Sequence, residues 1–467
     1  MKIIIIGGGI AGLSAAWELS GRADVTLLEA SARCGGKLTT ATLETPFGIS
    51  VVDGSAESFV TRKEAAYQLL LELGLQDQIL EPEADTSGVY LLRDRTIQPV
   101  PTSPLALLRS KLLSWRGKLR LLREPLTRAS APSRDESLHD FLERRVGVEA
   151  AEIFGPVMAG IYSADPRRTS ALASFGVLRE LERDHGSLMR GMLRRRPKRG
   201  ARRLPRAVTL RGGVETLVNA LEMQVRTRGV AIQTNAAVER VQSGVVTLRD
   251  GSRLSADAVI LALPAPSAAK LLERSAPACA TALQALPHTG IGTLALVYPA
   301  SALERLSHLR GVMIPRSEGR EIDAVLFTGF KMPERTPRGT GLLRVFFGAN
   351  SPELIRATDE ALLAVVSREL RELFGIDAAP LNHSISRWHD FPILELGHLE
   401  RVAKAEALLP RGVLLAGASY RGIGVPDCVR QGRESARRAL ELSAQPTPKQ
   451  PSPQQPGLEQ PGLERVA

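Results

Sequence analysis

An α/β fold, with a parallel core assembled from separated parts of the chain, is predicted by three stretches of sequence. "MKIIIIGGGIAGLSAAWELS" (1–20) runs from an apolar strand through three glycines into an Ala- and Leu-rich helix. "DAVILALPAPSAAKLL" (257–272) reads as a buried strand followed by a helix. "GVLLAGASYRGIGVPDCVRQG" (412–432) reads as an apolar strand, a glycine-rich turn and a helix opening. Short apolar runs that feed helices through glycine turns are the pattern of buried parallel strands with helical crossovers.

In the first stretch Gly7, Gly9 and Gly12 form G-x-G-x-x-G directly after Lys2–Ile6, with Gly8, Ile10 and Ala11 between them. The first glycine allows the tight turn, the second lets a pyrophosphate approach the backbone, and the third lets helix pack on strand. The helix N-terminus adds free amides and a positive dipole end. A second strand, "ADVTLLEA", ends in Glu29 followed by Ala30, at the distance a Rossmann-like unit requires. A carboxylate there accepts hydrogen bonds from an adenosine ribose and repels a 2′-phosphate, which disfavours NADP and leaves NAD and FAD.

The next residues separate these two. Glu29, Arg33, Gly35 and Gly36 give E-x-x-x-R-x-G-G, followed by Lys37. This pattern resembles the amine-oxidase-type flavoproteins, and the resemblance implies FAD. In such proteins the cofactor domain is built from separated segments. The resemblance adds Gly54, Ser55, Ala56 and Glu57 of "DGSAESF", Val238 as a backbone contact to adenine, and Trp388 beside the flavin. In the third stretch Gly417 ends a strand, where a missing side chain admits the ribityl or phosphate portion. Gly422, Ile423, Gly424 and Val425 bring a helix N-terminus towards the flavin ring, where amides stabilise charge developing at N1/C2=O.

The remaining chain is read as a mixed α/β substrate domain (56–102 and 273–386), a basic helical subdomain (103–204) and a disordered Pro/Gln-rich tail (443–467). The FAD domain takes 1–55, 205–272 and 387–442. "RSKLLSWRGKLRLLREPLTR" (109–128) interleaves Leu and Trp with cations at spacings a helix would sort onto two faces, suited to an anionic membrane surface or to packing with one solvated face. "RGMLRRRPKRGARRLPR" (190–206) reads as an exposed cationic loop. The 467 residues carry a formal charge of +11, which points to an anionic partner, while only 4% aromatic content argues against nucleic acid. Cys34, Cys279 and Cys428 are scattered, so neither a disulfide framework nor a metal centre is expected. A strand beginning at residue 2 and the lack of a spanning apolar run predict a cytoplasmic protein, soluble or peripheral on the membrane.

Three segments narrow the resemblance. "GPVMAGIYSADPRRTSALASFGVLRELERDHGSL" (155–188), "RWHDFPILELGHLERV" (387–402) and "GASYRGIGVPDCV" (417–429) are similar to segments of the protoporphyrinogen/coproporphyrinogen oxidase family, over roughly residues 2–440. Departures are "DGSAESF", which lacks the family's Gly-Pro, Ala164 in place of a glycine, and Ile393 and Leu394 in place of Gln-Tyr. The resemblance implies a six-electron aromatisation of a porphyrinogen, with O2 reduced to H2O2 in three rounds and no catalytic side chain, since flavin accepts the hydride. It implies Lys63 facing substrate propionates, with Gly160 and Tyr162 lining the cavity. His185 and His398 fall in family-like segments, as proton carriers or as structural residues. The "RWH" and "GVPDC" wording and the charge favour coproporphyrinogen III, with four propionates, over protoporphyrinogen IX, with two. A later enzyme of haem synthesis is a further candidate partner. Amine oxidases and carotenoid desaturases stay open, with Tyr420 and Trp388 as a candidate aromatic pair, as does a non-enzymatic flavin-binding scaffold.

Overall fold

The computed structural model describes residues 1–82, 89–101, 104–110, 112–131, 134–160, 164–194, 205, 207–242 and 244–444. Strand β1 (Lys2–Ile6), helix α1 (Ile10–Leu19) and strand β2 (Asp24–Leu28) open the chain. β1 lies at the centre of a five-stranded parallel sheet, in the order Ala231–Gln233, β2, β1, Ala258–Leu261, Val413–Leu415. The four isoleucines of β1 explain its central place. Ile3 and Ile5 join a core with α1 and the C-terminal helix Val425–Ala444, while Ile4 and Ile6 join a core with the helix Ala265–Leu272. Burial on both faces is what a continuous apolar run, rather than an alternating one, requires. All five strands run parallel, so the turns after β1 and after Val413–Leu415 lie at the same end of the sheet, with Ala258–Leu261 between their strands.

A second, seven-stranded sheet has the order Asn382–Pro392, His288–Pro299, Thr340–Phe347, Ile322–Leu326, Gly311–Met313, Val89–Arg93, Thr96–Pro99. Its neighbours are antiparallel, except that Gly311–Met313 and Val89–Arg93 run parallel. Residues 387–392, the start of the last segment expected in the FAD domain, pair with His288–Gly292 in this sheet. Two buried ion clusters tie the sheets together. Arg335 pairs with Asp53, whose other oxygen accepts from Val214 N–H at 2.9 Å. Glu57 is bonded to Lys331 at 2.6 Å, to Arg344 at 2.9 Å and to the Thr328 hydroxyl at 3.0 Å.

The helical region spends many of its cations internally. Arg144 and Arg179 share Glu136 and Glu182, and the fully buried Arg145 meets the fully buried Glu124. The amphipathic stretch is not one helix. Ser114 caps a new helix, Trp115–Leu122, by accepting from Gly117 N–H at 3.1 Å. Trp115, Leu119 and Leu122 stand on its exposed face. Residues 188–194 are helical, and the rest of the cationic stretch to 204 lies outside the described residues, as does the tail beyond Ala444. No helix among the described residues is long and apolar enough to cross a membrane. All three cysteines are buried and unpaired.

Candidate functional site

The first turn is walled by backbone. Gly7 holds φ +104°, in the region that favours glycine, and a Cβ at Gly12 would lie 1.9 Å from the Gly7 carbonyl oxygen. A Cβ at Gly9 would meet nothing within 4 Å, so its open side is the backbone face that a pyrophosphate can approach. The Glu29 carboxylate accepts from Gly8 N–H at 2.7 Å and from Ser31 N–H at 2.8 Å and its hydroxyl at 2.6 Å. These bonds orient it beside the turn with lone pairs left for a ribose. Ala236 N–H donates to the Glu29 carbonyl at 2.9 Å, which brings Val238, two residues on, to the same end of the sheet. Arg33 braces the loop. Its guanidinium donates to the carbonyls of Cys34 at 2.8 Å and Gly36 at 2.9 Å and reaches Glu215 at 3.3 Å.

The second turn carries side chains. Gly422 holds φ +113°, and a Cβ there would press on Asp427, in the first turn of the helix Val425–Ala444. Asp427 pairs with Lys63 at 2.6 Å, and Lys63 remains half exposed. Burial and the charge of Asp427 push the Cys428 thiol up to about 12, against the opposing pull of Lys37, Arg430 and Lys63. Lys63 thus stands at this helix start. Lys37 is itself paired with Asp390 at 2.7 Å. Ser419, between Gly417 and Gly422, accepts from Ala265 N–H at 3.1 Å and meets His288 Nε2 at 2.9 Å, while His288 Nδ1 meets the Leu286 carbonyl at 2.8 Å. That carbonyl can only accept, so Nδ1 carries the proton and Nε2 accepts from the serine. Burial lowers the His288 pKa, which keeps the ring neutral. Trp388 lies on the adjacent strand, and its buried indole N–H has no acceptor among the described residues.

Residues 10–440 match the family of flavin-containing amine oxidoreductases. The chain belongs to this family. It is 30% identical to the coproporphyrinogen III oxidase of Bacillus subtilis, with 94% of this chain and 97% of the relative covered. It is also 30% identical to human protoporphyrinogen oxidase, with 94% and 98% covered. An Exiguobacterium structure provisionally named a protoporphyrinogen oxidase superposes with TM-score 0.78 at 26% identity, over 94% of this chain and 99% of that one. The chain is therefore an FAD-dependent oxidoreductase.

The residues present fit FAD. Gly9 leaves room for a pyrophosphate against the backbone, the Glu29 carboxylate at the turn can still accept from a ribose, and the buried Trp388 N–H is left without a partner among the described residues. Other residues expected at the cofactor make contacts within the protein. Ser55 donates to the Lys37 carbonyl at 2.6 Å and so ties the "DGSAESF" segment to the loop. A Cβ at Gly54 would collide with Thr39 and Ser386, and Ala56 packs on the core beneath the first turn. Glu57 is consumed by its ion cluster, where burial alone would raise its pKa but the charges of Lys331 and Arg344 hold it well below the usual carboxylate range.

The family-like segments also meet. Ser170 N–H donates to the Leu394 carbonyl at 2.8 Å, and Leu396 N–H to the Arg168 carbonyl at 3.0 Å. Gly160 ends the helix Val148–Gly160 against Met313 of the seven-stranded sheet, while Tyr162 lies outside the described residues. Tyr420 is fully buried in an apolar core and donates to the Leu263 carbonyl at 3.0 Å, so it is not one of an aromatic pair beside a flavin. His398 is buried, and its Nε2 meets the Tyr420 carbonyl at 2.8 Å; burial pushes its pKa down to about 4, leaving it neutral and bracing the second turn. His185 sits in the helical region against Gly191. The sequence reading missed Asp427, although it lay inside a quoted segment, and His288 and Asp390, which reach the turn only through the fold.

Proposed function

We propose that this chain oxidises coproporphyrinogen III to coproporphyrin III, a loss of six hydrogens matched by reduction of three O2 to three H2O2. Bound FAD supplies the hydride acceptor. The chain's own residues bind, orient and neutralise. The turn at Gly422–Gly424 and the helix start at Val425 present backbone amides where negative charge develops. Trp388 offers its indole N–H at the same site. Lys63, held by Asp427, presents a half-exposed cation for a substrate propionate, and the Lys37–Asp390 pair keeps the second lysine neutralised.

The observation that carries this reading is the Lys63–Asp427 pair, which puts a cation expected to face the substrate at the start of the helix expected to face the flavin. The names of the bacterial relatives support the four-propionate substrate. The experiment is to supply FAD-loaded protein with coproporphyrinogen III or protoporphyrinogen IX in air and follow porphyrin fluorescence. A higher kcat/KM for coproporphyrinogen III is expected. A preference for protoporphyrinogen IX would transfer the reading to the two-propionate substrate, and inactivity with both despite bound flavin would overturn it. The same reading places the enzyme in the cytoplasm, with the exposed Trp115, Leu119 and Leu122 and their neighbouring cations meeting an anionic membrane surface.

A further inference from the structure

A second site stands in the helical region, on residues the flavin chemistry does not use. In "SLHDFLERR" (137–145) the helix Leu138–Val146 begins at Ser137, whose hydroxyl accepts from Asp140 N–H at 3.0 Å. His139 and Glu143 are one turn apart on one face, with Asp140 beside them. The His139 ring is buried, while the Asp140 and Glu143 carboxylates are mostly exposed. His139 Nε2 meets Glu152 Oε1 of the neighbouring helix at 3.0 Å, and Glu152 is itself held by Arg167 at 2.6 Å.

That arrangement fixes the other nitrogen. With Nε2–H donating to Glu152, Nδ1 carries the lone pair, at 3.5 Å from Asp140 Oδ1 and 3.7 Å from Glu143 Oε2. His139 Nδ1 is buried and has no hydrogen-bond partner among the described residues. Three acceptors therefore face one another with no proton between them at bonding distance. A protonated ring would pair with both carboxylates by charge alone, because both separations exceed those of a hydrogen bond to nitrogen. They do suit a shared cation. Two ligands of a tetrahedral ion at zinc bond lengths stand about 3.4 Å apart, close to both spacings. A ring nitrogen with a carboxylate behind it and two carboxylates beside it is the ligand chemistry of a borderline divalent ion.

We propose that His139 Nδ1, Asp140 and Glu143 bind a divalent cation of the zinc class, with Glu152 orienting the histidine. The site joins the start of Leu138–Val146 to the helix Val148–Gly160 and takes no part in flavin chemistry. The spacing His-Asp-x-x-Glu inside a charged helix matches no standard ligand motif, which is why the sequence alone points to no metal here.

The test uses the full-length, flavin-loaded protein, stripped with a chelator and titrated with Zn2+ by equilibrium dialysis, and with Co2+ by visible absorption. One tightly bound ion per chain is expected, with the intense d–d bands of four-coordinate Co2+. Glu152→Gln should weaken binding by about 10–100-fold. The double variant Asp140→Asn/Glu143→Gln changes only exposed side chains and should abolish the Co2+ bands at unchanged flavin content. Absence of a tight ion, or a wild-type Zn2+ isotherm in the double variant, would overturn the proposal.

Discussion

The two glycine turns follow strands of one parallel sheet with Ala258–Leu261 between them, yet they are built from different materials. α1, which follows the first, packs so closely on the C-terminal helix that a Cβ at Gly432 would lie 2.1 Å from the Ala11 carbonyl oxygen. The first turn is nearly all backbone, with Glu29 as its one carboxylate, tied to Gly8 and Ser31. The second gathers side chains from across the chain: Lys63 on Asp427, His288 on Ser419, and Lys37 and Asp390 close by. A pyrophosphate asks only for amides and space, so the first turn is common to all chains that hold a dinucleotide. Orientation of a particular anionic substrate asks for placed charge, and under the proposed function that charge is gathered at the second turn.

The sharpest way to break the contrast is at the first turn. Gly12→Val puts carbon into the Gly7 carbonyl, and flavin absorbance per purified chain should fall to background. Full flavin content would show that backbone approach is not what holds the cofactor. At the second turn the effect should be on substrate alone. Asp427→Asn frees Lys63 from its countercharge, and KM for coproporphyrinogen III should rise about 3–10-fold, equivalent to about 0.6–1.4 kcal/mol, with flavin retained. Loss of flavin instead would erase the distinction between the turns.

The pH dependence sharpens it further. Burial depresses the His398 pKa to about 4, so the unfolded chain binds the extra proton first as pH falls. The stability that depends on neutral His398 is therefore full above about pH 6.5, the ordinary histidine value, and is lost progressively as pH drops towards 4. Its contribution to the slope is at most about 1.4 kcal/mol per pH unit. Denaturant midpoints in this window should fall less steeply in His398→Gln than in wild type; equal slopes would mean that the ring does not carry the effect. The smallest effect concerns neither turn. Trp115 is 70% exposed, so Trp115→Ser should leave the melting temperature unchanged while reducing partition onto anionic vesicles by about tenfold. Equal partition would remove the membrane from the account.

The same contrast separates what could be read in the sequence from what could not. β1, α1 and β2 follow from local pattern, because four consecutive isoleucines cannot be solvated on either face and Gly7, Gly9 and Gly12 have one economical use. The strands Ala258–Leu261 and Val413–Leu415 announce themselves as apolar runs before a helix. The second turn's glycines were also legible, and so was Lys63. Its neighbours were not, since His288 and Ser419 are 131 positions apart and Lys37 and Asp390 are 353 apart, and neither pair leaves a local pattern. Glu57 shows what a local segment leaves out. Its place in a family-like segment suggested cofactor contact, but Lys331 and Arg344, distant in sequence, claim both carboxylate oxygens. The helical region was read only as basic, since the partners of Arg145 and Arg179, among them Glu124 and Glu136, lie far along the chain.

The most direct test of the central claim is Lys63→Met, with flavin content, kcat and KM measured on coproporphyrinogen III and protoporphyrinogen IX. A cation that receives a propionate beside the flavin predicts full flavin loading and a fall in kcat/KM of about tenfold or more for coproporphyrinogen III, about 1.4 kcal/mol, with a smaller fall for the two-propionate substrate. Unchanged kcat/KM for coproporphyrinogen III, or an equal fall for both substrates, would contradict it.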